Sequence, residues 1–258
     1  MSTIAKALFQ MSSWPMKTPV PYSGFHLVFG GAGILAAIFL AWKLSRGRHL
    51  HVLSACGLIL AVSEIYKQGF LYYIVNGEQY DWWYFPFQLC SIPMYLCLLL
   101  PFLKRGTCKT ALYTFLQDFN LLGGVAALIV SEGFRGIHWS LTLHGYVWHL
   151  LLVLIGLFVF AGGRSDLSRK GYLGTLPVFF TSCAIALFIN ILAPGHGQAD
   201  MFYISPYYPS TQPVFHEIAL AIGILPANLL YLFTICLGAA LLHLLFSVLE
   251  KHYVPDNR

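Results

Sequence analysis

Charge is what this sequence has least of. Of its 258 residues only 10% are Asp, Glu, Lys or Arg, where a soluble domain carries about 25%. With 58% hydrophobic residues and a mean hydropathy of +0.69, that shortage excludes an ordinary water-soluble domain and indicates an integral membrane protein. The net charge is +5, but the bases lie in short loops between apolar runs, not in one patch, so no nucleic-acid partner is expected. Cysteine pairs at metal-binding spacing are also missing. Cys56, Cys90, Cys97, Cys108, Cys183 and Cys236 fall in or beside apolar runs with no CxxC, which is neither a zinc pattern nor a secreted disulfide framework. No metal and no cofactor is expected. The N-terminal stretch MSTIAKALFQMSSWPMKTPVPYSG lacks the basic region, apolar core and small-residue cleavage site of a signal peptide. It reads as an amphipathic, interfacial lead-in. No internal repeat, low-complexity tract or shift in composition divides the chain. The expectation is one integral membrane domain over 1–258, with a lead-in at 1–22, a helical bundle at 23–248 and a tail at 249–258.

What is there in quantity is long apolar sequence. A spanning helix needs about 20 mostly apolar residues, and seven segments come near that: roughly 23–43, 51–75, 86–103, 108–131, 140–161, 171–193 and 220–248. An all-α, polytopic bundle of seven transmembrane helices follows. Its orientation follows from the bases. One set of connections and the tail hold Lys43, Arg46, Arg48, Lys104, Arg105, Lys109, Arg164, Arg169, Lys170, Lys251 and Arg258. The other side holds Lys6, Lys17 and Arg135 with five acids. The N-terminus is therefore expected outside and the C-terminus in the cytoplasm. The outer loops YDWWYFP and GFRGIHW suit an interfacial aromatic belt. The connection APGHGQADMFYISPYYPSTQPVFHE is long and rich in Pro and Tyr, the character of a binding loop or lid. It is expected to pack over the outer mouth of the bundle.

Polar residues inside the membrane are costly and often functional. Glu64 and Lys67 share a helix face at i and i+3. They read either as an ion pair that fixes packing or as a pair that orients a substrate head group. Asp118, with Gln117 and Asn120 beside it, needs a partner such as Lys67 or a histidine; it is a structural pair or part of a proton or cation relay. His144 and His149 lie five residues apart, about 140° around a helix, which disfavours a metal pair. Cys90 stands in FQLCSIPMYLC, where Pro93 is expected to open the hydrogen bond to the Leu89 carbonyl. Cys97, two turns on, reads as a buried small hydrophobe. With helices 3 and 5 both entering from outside, Cys90 and the two histidines fall in the outer third of the membrane, and Asn190 reaches the same band. A Cys with a His at similar depth is the minimum for nucleophilic catalysis, the His taking the thiol proton and the thiolate attacking an acyl carbonyl. Glu64, Lys67 and Asp118 leave open a second class, a seven-helix transporter or receptor.

The ordered motifs SEIYKQ, FPFQLCSIPMYL, TLHGYVWHLLLVLIGLF and DMFYISPYYP resemble the bacterial YwaF-type proteins and their animal relatives, the transmembrane protein 164 acyltransferases, over roughly residues 25–248. The resemblance implies a membrane acyltransferase that moves a fatty acyl chain between phospholipid and lysophospholipid partners, located in the cytoplasmic membrane of a bacterium. It places the family cysteine at Cys90. The WHLLLVL core places the family histidine at His149, with His144 in support, whereas depth favours His144. It places the helix 2 acid at Glu64. Ser91, Gln88 or Asn190 are the expected oxyanion donors. Asp200-Met201 stands where the family pattern expects Asn-Tyr or Asn-Met, so the role of Asp200 stays open.

Overall fold

A computed structural model of the chain describes residues 2–47, 49–193, 195 and 199–253. Arg48 and Arg258, counted above among the bases, lie outside the described residues. So does the part of the loop sequence at 194 and 196–198. Among the described residues the regular structure is helical, apart from one isolated bridge between Pro15 and His138.

The helices are α1 (Ser2–Gln10), α2 (Gly24–Leu44), α3 (His49–Phe70), α4 (Ile92–Leu99), α5 (Thr107–Phe115), α6 (Leu121–Ile129), α7 (Trp139–Ala161), α8 (Arg169–Leu192), α9 (Pro213–Ile222) and α10 (Ile224–Tyr253). A π turn, Leu71–Val75, extends α3, and another, Leu116–Asn120, joins α5 to α6. Local chemistry sets several of the ends. Ser23 and Ser168 cap α2 and α8 by accepting the N–H groups of His26 and Gly171. Pro213 opens α9 in the first turn, where its missing N–H costs nothing. Gly223, at φ 92°, separates α9 from α10. The segment expected at 220–248 is thus two elements, and α9 occupies what read as loop.

Among the described residues six helices are long and apolar enough to cross a membrane: Gly24–Leu44, His49–Val75, Thr107–Ile129, Trp139–Ala161, Arg169–Leu192 and Ile224–Lys251. The seventh expected span falls short. Its apolar helix runs only Leu89–Phe102, about 21 Å at 1.5 Å per residue, against a hydrocarbon core of about 30 Å. Residues 86–88 ahead of it are not helical: the Phe87 N–H turns back onto the Phe85 carbonyl (2.7 Å) around Pro86, and the Gln88 backbone is extended (φ −81°, ψ 164°).

The core lies along α5–α6 and α7, whose most apolar windows are 67% and 61% buried, against 17% in α10. Small residues let these helices approach. A Cβ on Gly124 would lie 3.2 Å from the His149 carbonyl oxygen, and one on Gly156 would lie 2.8 Å from Leu121 Cβ. Gly57 does the same for α3 against α4, where an added Cβ would meet Cys97 at 2.9 Å.

The connections collect at two ends. At one, Arg164 Nη2 donates to the Ser45 carbonyl (3.0 Å), Lys109 Nζ to the Leu103 carbonyl (3.0 Å), and the rings of His49 and Tyr113 meet. At the other, Met16 N donates to the Ile137 carbonyl, Arg135 reaches the Pro19 carbonyl, and Lys6 pairs with Glu78 at 3.0 Å. Helix α1 docks at this second end through Phe9, whose ring meets Tyr66 and Tyr73. Its other face leaves Ile4 and Leu8 exposed, with Met11 exposed just past its end, the pattern of an interfacial helix.

Candidate functional site

Cys90 sits on a single 3-10 turn, Leu89–Ser91, immediately before α4. Pro93 lies in the first turn of α4. There it opens no existing hydrogen bond. It starts the helix, because a first-turn N–H has no intrahelical partner to lose. The expected break beside Leu89 is therefore a helix start. The Cys90 carbonyl, freed from any ladder, accepts from Trp148 Nε1 at 3.1 Å. That bond pins α7 to the turn one residue before His149.

His149 is buried, and its Nδ1 lies 2.7 Å from the Gly145 carbonyl oxygen. A carbonyl only accepts, so Nδ1 carries the proton and Nε2 keeps its lone pair. Gly145 also makes room for Phe134, whose ring stacks on His149 at 4.9 Å and 27°. His144 takes a different face. Its ring lies 5.4 Å from Trp148, it faces the Ser63 backbone on α3, and its Nε2 is buried without a hydrogen-bond partner. Among the described residues neither histidine is hydrogen-bonded to Cys90. What joins the three is Lys67, whose charge acts on Cys90, His144 and His149 alike. Lys67 Nζ pairs with Glu64 Oε1 at 2.8 Å. Gln68 Nε2 donates to the same Oε1 (2.7 Å) and to the Tyr84 carbonyl (2.5 Å). Ser91 is buried, with its hydroxyl against the Cys90 thiol.

Gln88 and Asn190 have a different set of contacts from Ser91. Gln88 Nε2 donates to the Asp200 carbonyl (2.9 Å), while Gln88 Oε1 accepts the Phe202 N–H (2.7 Å). Asn190 Nδ2 donates to the Met201 carbonyl (3.0 Å), while its Oδ1 accepts the Met201 N–H (2.7 Å). Two side-chain amides thus mimic a strand partner for three consecutive loop residues. They hold a segment in which Phe202 and Tyr203 have positive φ, 58° and 57°. Met201 and Phe202 are buried, so this part of the loop is packed into the bundle. Burial raises the Asp200 carboxyl to about 6, against the opposing backbone N–H groups of Ser205 and Thr211. Its Oδ2 has no hydrogen-bond partner. The loop brings Tyr203 into electrostatic range of Cys90, and α10 does the same with Tyr231. Neither tyrosine, nor Trp148, stood out in the sequence. Trp148 was marked only by its place beside His149.

Asp118 is not part of this cluster. It sits in the π turn with its Oδ2 2.8 Å from His243 Nδ1, and its Oδ1 accepts from Gln117 Nε2 at 2.9 Å. Gln117 Oε1 accepts from Ser165 Oγ, and His243 Nε2 lies 3.1 Å from the Ser168 carbonyl oxygen. Nε2 facing a carbonyl carries a proton, and one further proton lies between Nδ1 and Oδ2. The pair is neutral as a whole, which is how a fully buried carboxylate is tolerated. The partner is His243, which no local motif announced.

Among the described residues no three His, Cys, Asp or Glu side chains converge as a metal site. The chain is therefore a polytopic helical membrane protein with a cysteine, two histidines and a lysine–glutamate pair gathered near one end. It belongs to the TMEM164 family, whose model matches residues 19–248. No curated protein and no solved structure matches it.

Proposed function

We propose that this protein is a membrane-embedded acyltransferase that moves a fatty acyl chain between phospholipid and lysophospholipid through an acyl-enzyme on Cys90. The observation that carries this reading is the His149 tautomer. Anchoring Nδ1 on the Gly145 carbonyl leaves Nε2 as the free base, on the helix that Trp148 pins to the cysteine turn. His149 Nε2 takes the thiol proton. The thiolate is favoured by the N-terminus of α4 directly after it and by the Lys67 ammonium. Sulfur attacks the ester carbonyl of a donor lipid, and the ester C–O bond breaks. The proton passes from His149 to the departing lyso-lipid oxygen, leaving a thioester on Cys90. Ser91 is placed to donate to the oxyanion. Gln88 and Asn190 act indirectly, by holding the 200–202 segment with Tyr203 over the site. A second lipid hydroxyl then receives the acyl group.

The orientation belongs to the same proposal. The short helix Leu89–Phe102, with the non-helical residues before it, completes a seventh crossing antiparallel to α3. Support comes from Gln68 meeting Tyr84 at its start, Gly57 meeting Cys97 along it, and Lys109 meeting Leu103 at its end. That count puts the basic connections on the cytoplasmic side and the N-terminus, with the Cys90 site, on the outer side. The test is an acyl-exchange assay with a labelled diacyl lipid and a lyso-lipid in detergent or nanodiscs. C90A and H149A are expected to be inactive. Full exchange by C90A removes the nucleophile from the scheme.

A further inference from the structure

Glu64 Oε2 is the one atom of the Glu64–Lys67 pair left open. Glu64 is 4% exposed, its Oε1 holds both Lys67 and Gln68, and its Oε2 is buried with no hydrogen-bond partner. Buried carboxylate oxygens are seldom left so, and an open valence on a rigidly held group marks the place of a ligand donor. The group is rigidly held, because Gln68 ties it to the Tyr84 carbonyl and Lys67 lies one turn away on the same face. Lys67 keeps 21% of its side chain exposed and acts electrostatically on Cys90, as does Glu64. Two other bases at this end of the bundle are engaged elsewhere: Lys6 with Glu78, and Arg135 with the Ser131 and Pro19 carbonyls. One turn beyond Glu64, Gln68 opens a shallow surface crease with Tyr72, Asn76 and Asp81.

We propose that Glu64 and Lys67 form the acyl-acceptor subsite for a lysoglycerophospholipid. Lys67 Nζ pairs with the lipid phosphate, and Glu64 Oε2 receives the free glycerol hydroxyl and serves as its base. The two groups stand on neighbouring carbons of glycerol phosphate, as the two charged atoms stand side by side on α3. The proposal rests on the acyl-transfer reading and completes its second half. The hydroxyl oxygen bonds to the thioester carbon as its proton passes to Glu64 Oε2. The C–S bond breaks, and the proton returns to the Cys90 sulfur. His149 then serves the first half-reaction and Glu64 the second.

The test separates the halves. Full-length protein in nanodiscs is given a labelled diacyl phosphatidylcholine, with lysophosphatidylglycerol as acceptor and monoacylglycerol as an acceptor without phosphate. Cys90 acylation is read by mass spectrometry and transfer by product formation. E64Q is expected to acylate Cys90 normally, to accumulate the thioester and to transfer it about 100-fold more slowly, the usual worth of a general base. K67M slows Cys90 acylation for both acceptors alike and is expected, beyond that shared loss, to raise KM for lysophosphatidylglycerol about tenfold or more over that for monoacylglycerol, with K67R restoring most of the preference. Melting curves verify that each variant is folded. E64D, which keeps the ion pair but retracts the carboxylate, is expected to show the same split if E64Q does not fold. Normal transfer by E64Q, or an unchanged ratio of the two acceptors' KM values in K67M, overturns the subsite while acylated Cys90 leaves the enzyme reading standing. Absence of Cys90 acylation in the unaltered protein overturns both.

Discussion

Two buried polar centres lie in this bundle, and they differ in how completely they are closed. Around Asp118 each polar atom named above meets a partner: both carboxylate oxygens, the Gln117 carbonyl and both nitrogens of His243. Around Cys90 the arrangement stays open. His149 Nε2 keeps a lone pair, and Glu64 Oε2 and His144 Nε2 have no hydrogen-bond partner. Both centres carry an acid and a histidine at membrane depth, so residue type alone does not separate them. Closure does. A satisfied network of zero net charge staples the 165–168 connection to α5, the π turn and α10, and spends its polarity in doing so. An unsatisfied one keeps polarity available for a substrate.

The largest effect should come from breaking the open centre. C90A and H149A are each expected to lower acyl exchange by roughly a thousandfold or more, with melting temperatures near that of the unaltered protein. The reverse is expected at the closed centre. D118A should cost on the order of 3–5 kcal/mol in unfolding free energy, read by denaturation in mild detergent, and leave the rate per folded molecule nearly unchanged. A D118A variant that is stable but inactive would move the chemistry to the other end of the bundle. Asp200 offers a smaller, pH-dependent break. Its carboxyl is raised to about 6 in the folded state, against about 3.9 unfolded. Its stabilising contribution is therefore full below about pH 4 and is lost as pH rises through about 6, on the order of 3 kcal/mol in all. D200N is expected to flatten that part of the stability profile. N190A strands the Met201 N–H and carbonyl and should cost about 1–3 kcal/mol, with faster proteolysis between 199 and 212. The smallest effect belongs to W148F, which loses one hydrogen bond to the Cys90 carbonyl. About 1 kcal/mol and a few-fold fall in exchange rate are expected.

The spans were legible because hydropathy is local. Five of the seven expected segments coincide with long helices to within a few residues. The two departures have local causes as well. FPFQ turns at Pro86 instead of starting the helix, and the Gly223 break lies inside an apolar stretch that reads as continuous. Cys90 and the α7 histidines were legible for the same reason, since motif and site coincide along a few residues. The clamp of Gln88 and Asn190 on residues 200–202 was not, because it joins side chains to backbone more than 110 residues away in the case of Gln88. The Asp118–His243 pair spans 125 residues, and a lone histidine in LLHLLF gives no sign of its partner. What a sequence shows poorly is which polar groups cancel one another, and that cancellation is what distinguishes the staple from the site.

The central claim is that Cys90 carries the acyl group. Its most direct test is peptide mass spectrometry on the protein incubated with a diacyl phospholipid and no acceptor. The account predicts a hydroxylamine-sensitive acyl adduct on Cys90, absent in C90A and strongly reduced in H149A. An unmodified Cys90 in protein that still exchanges acyl chains would contradict it.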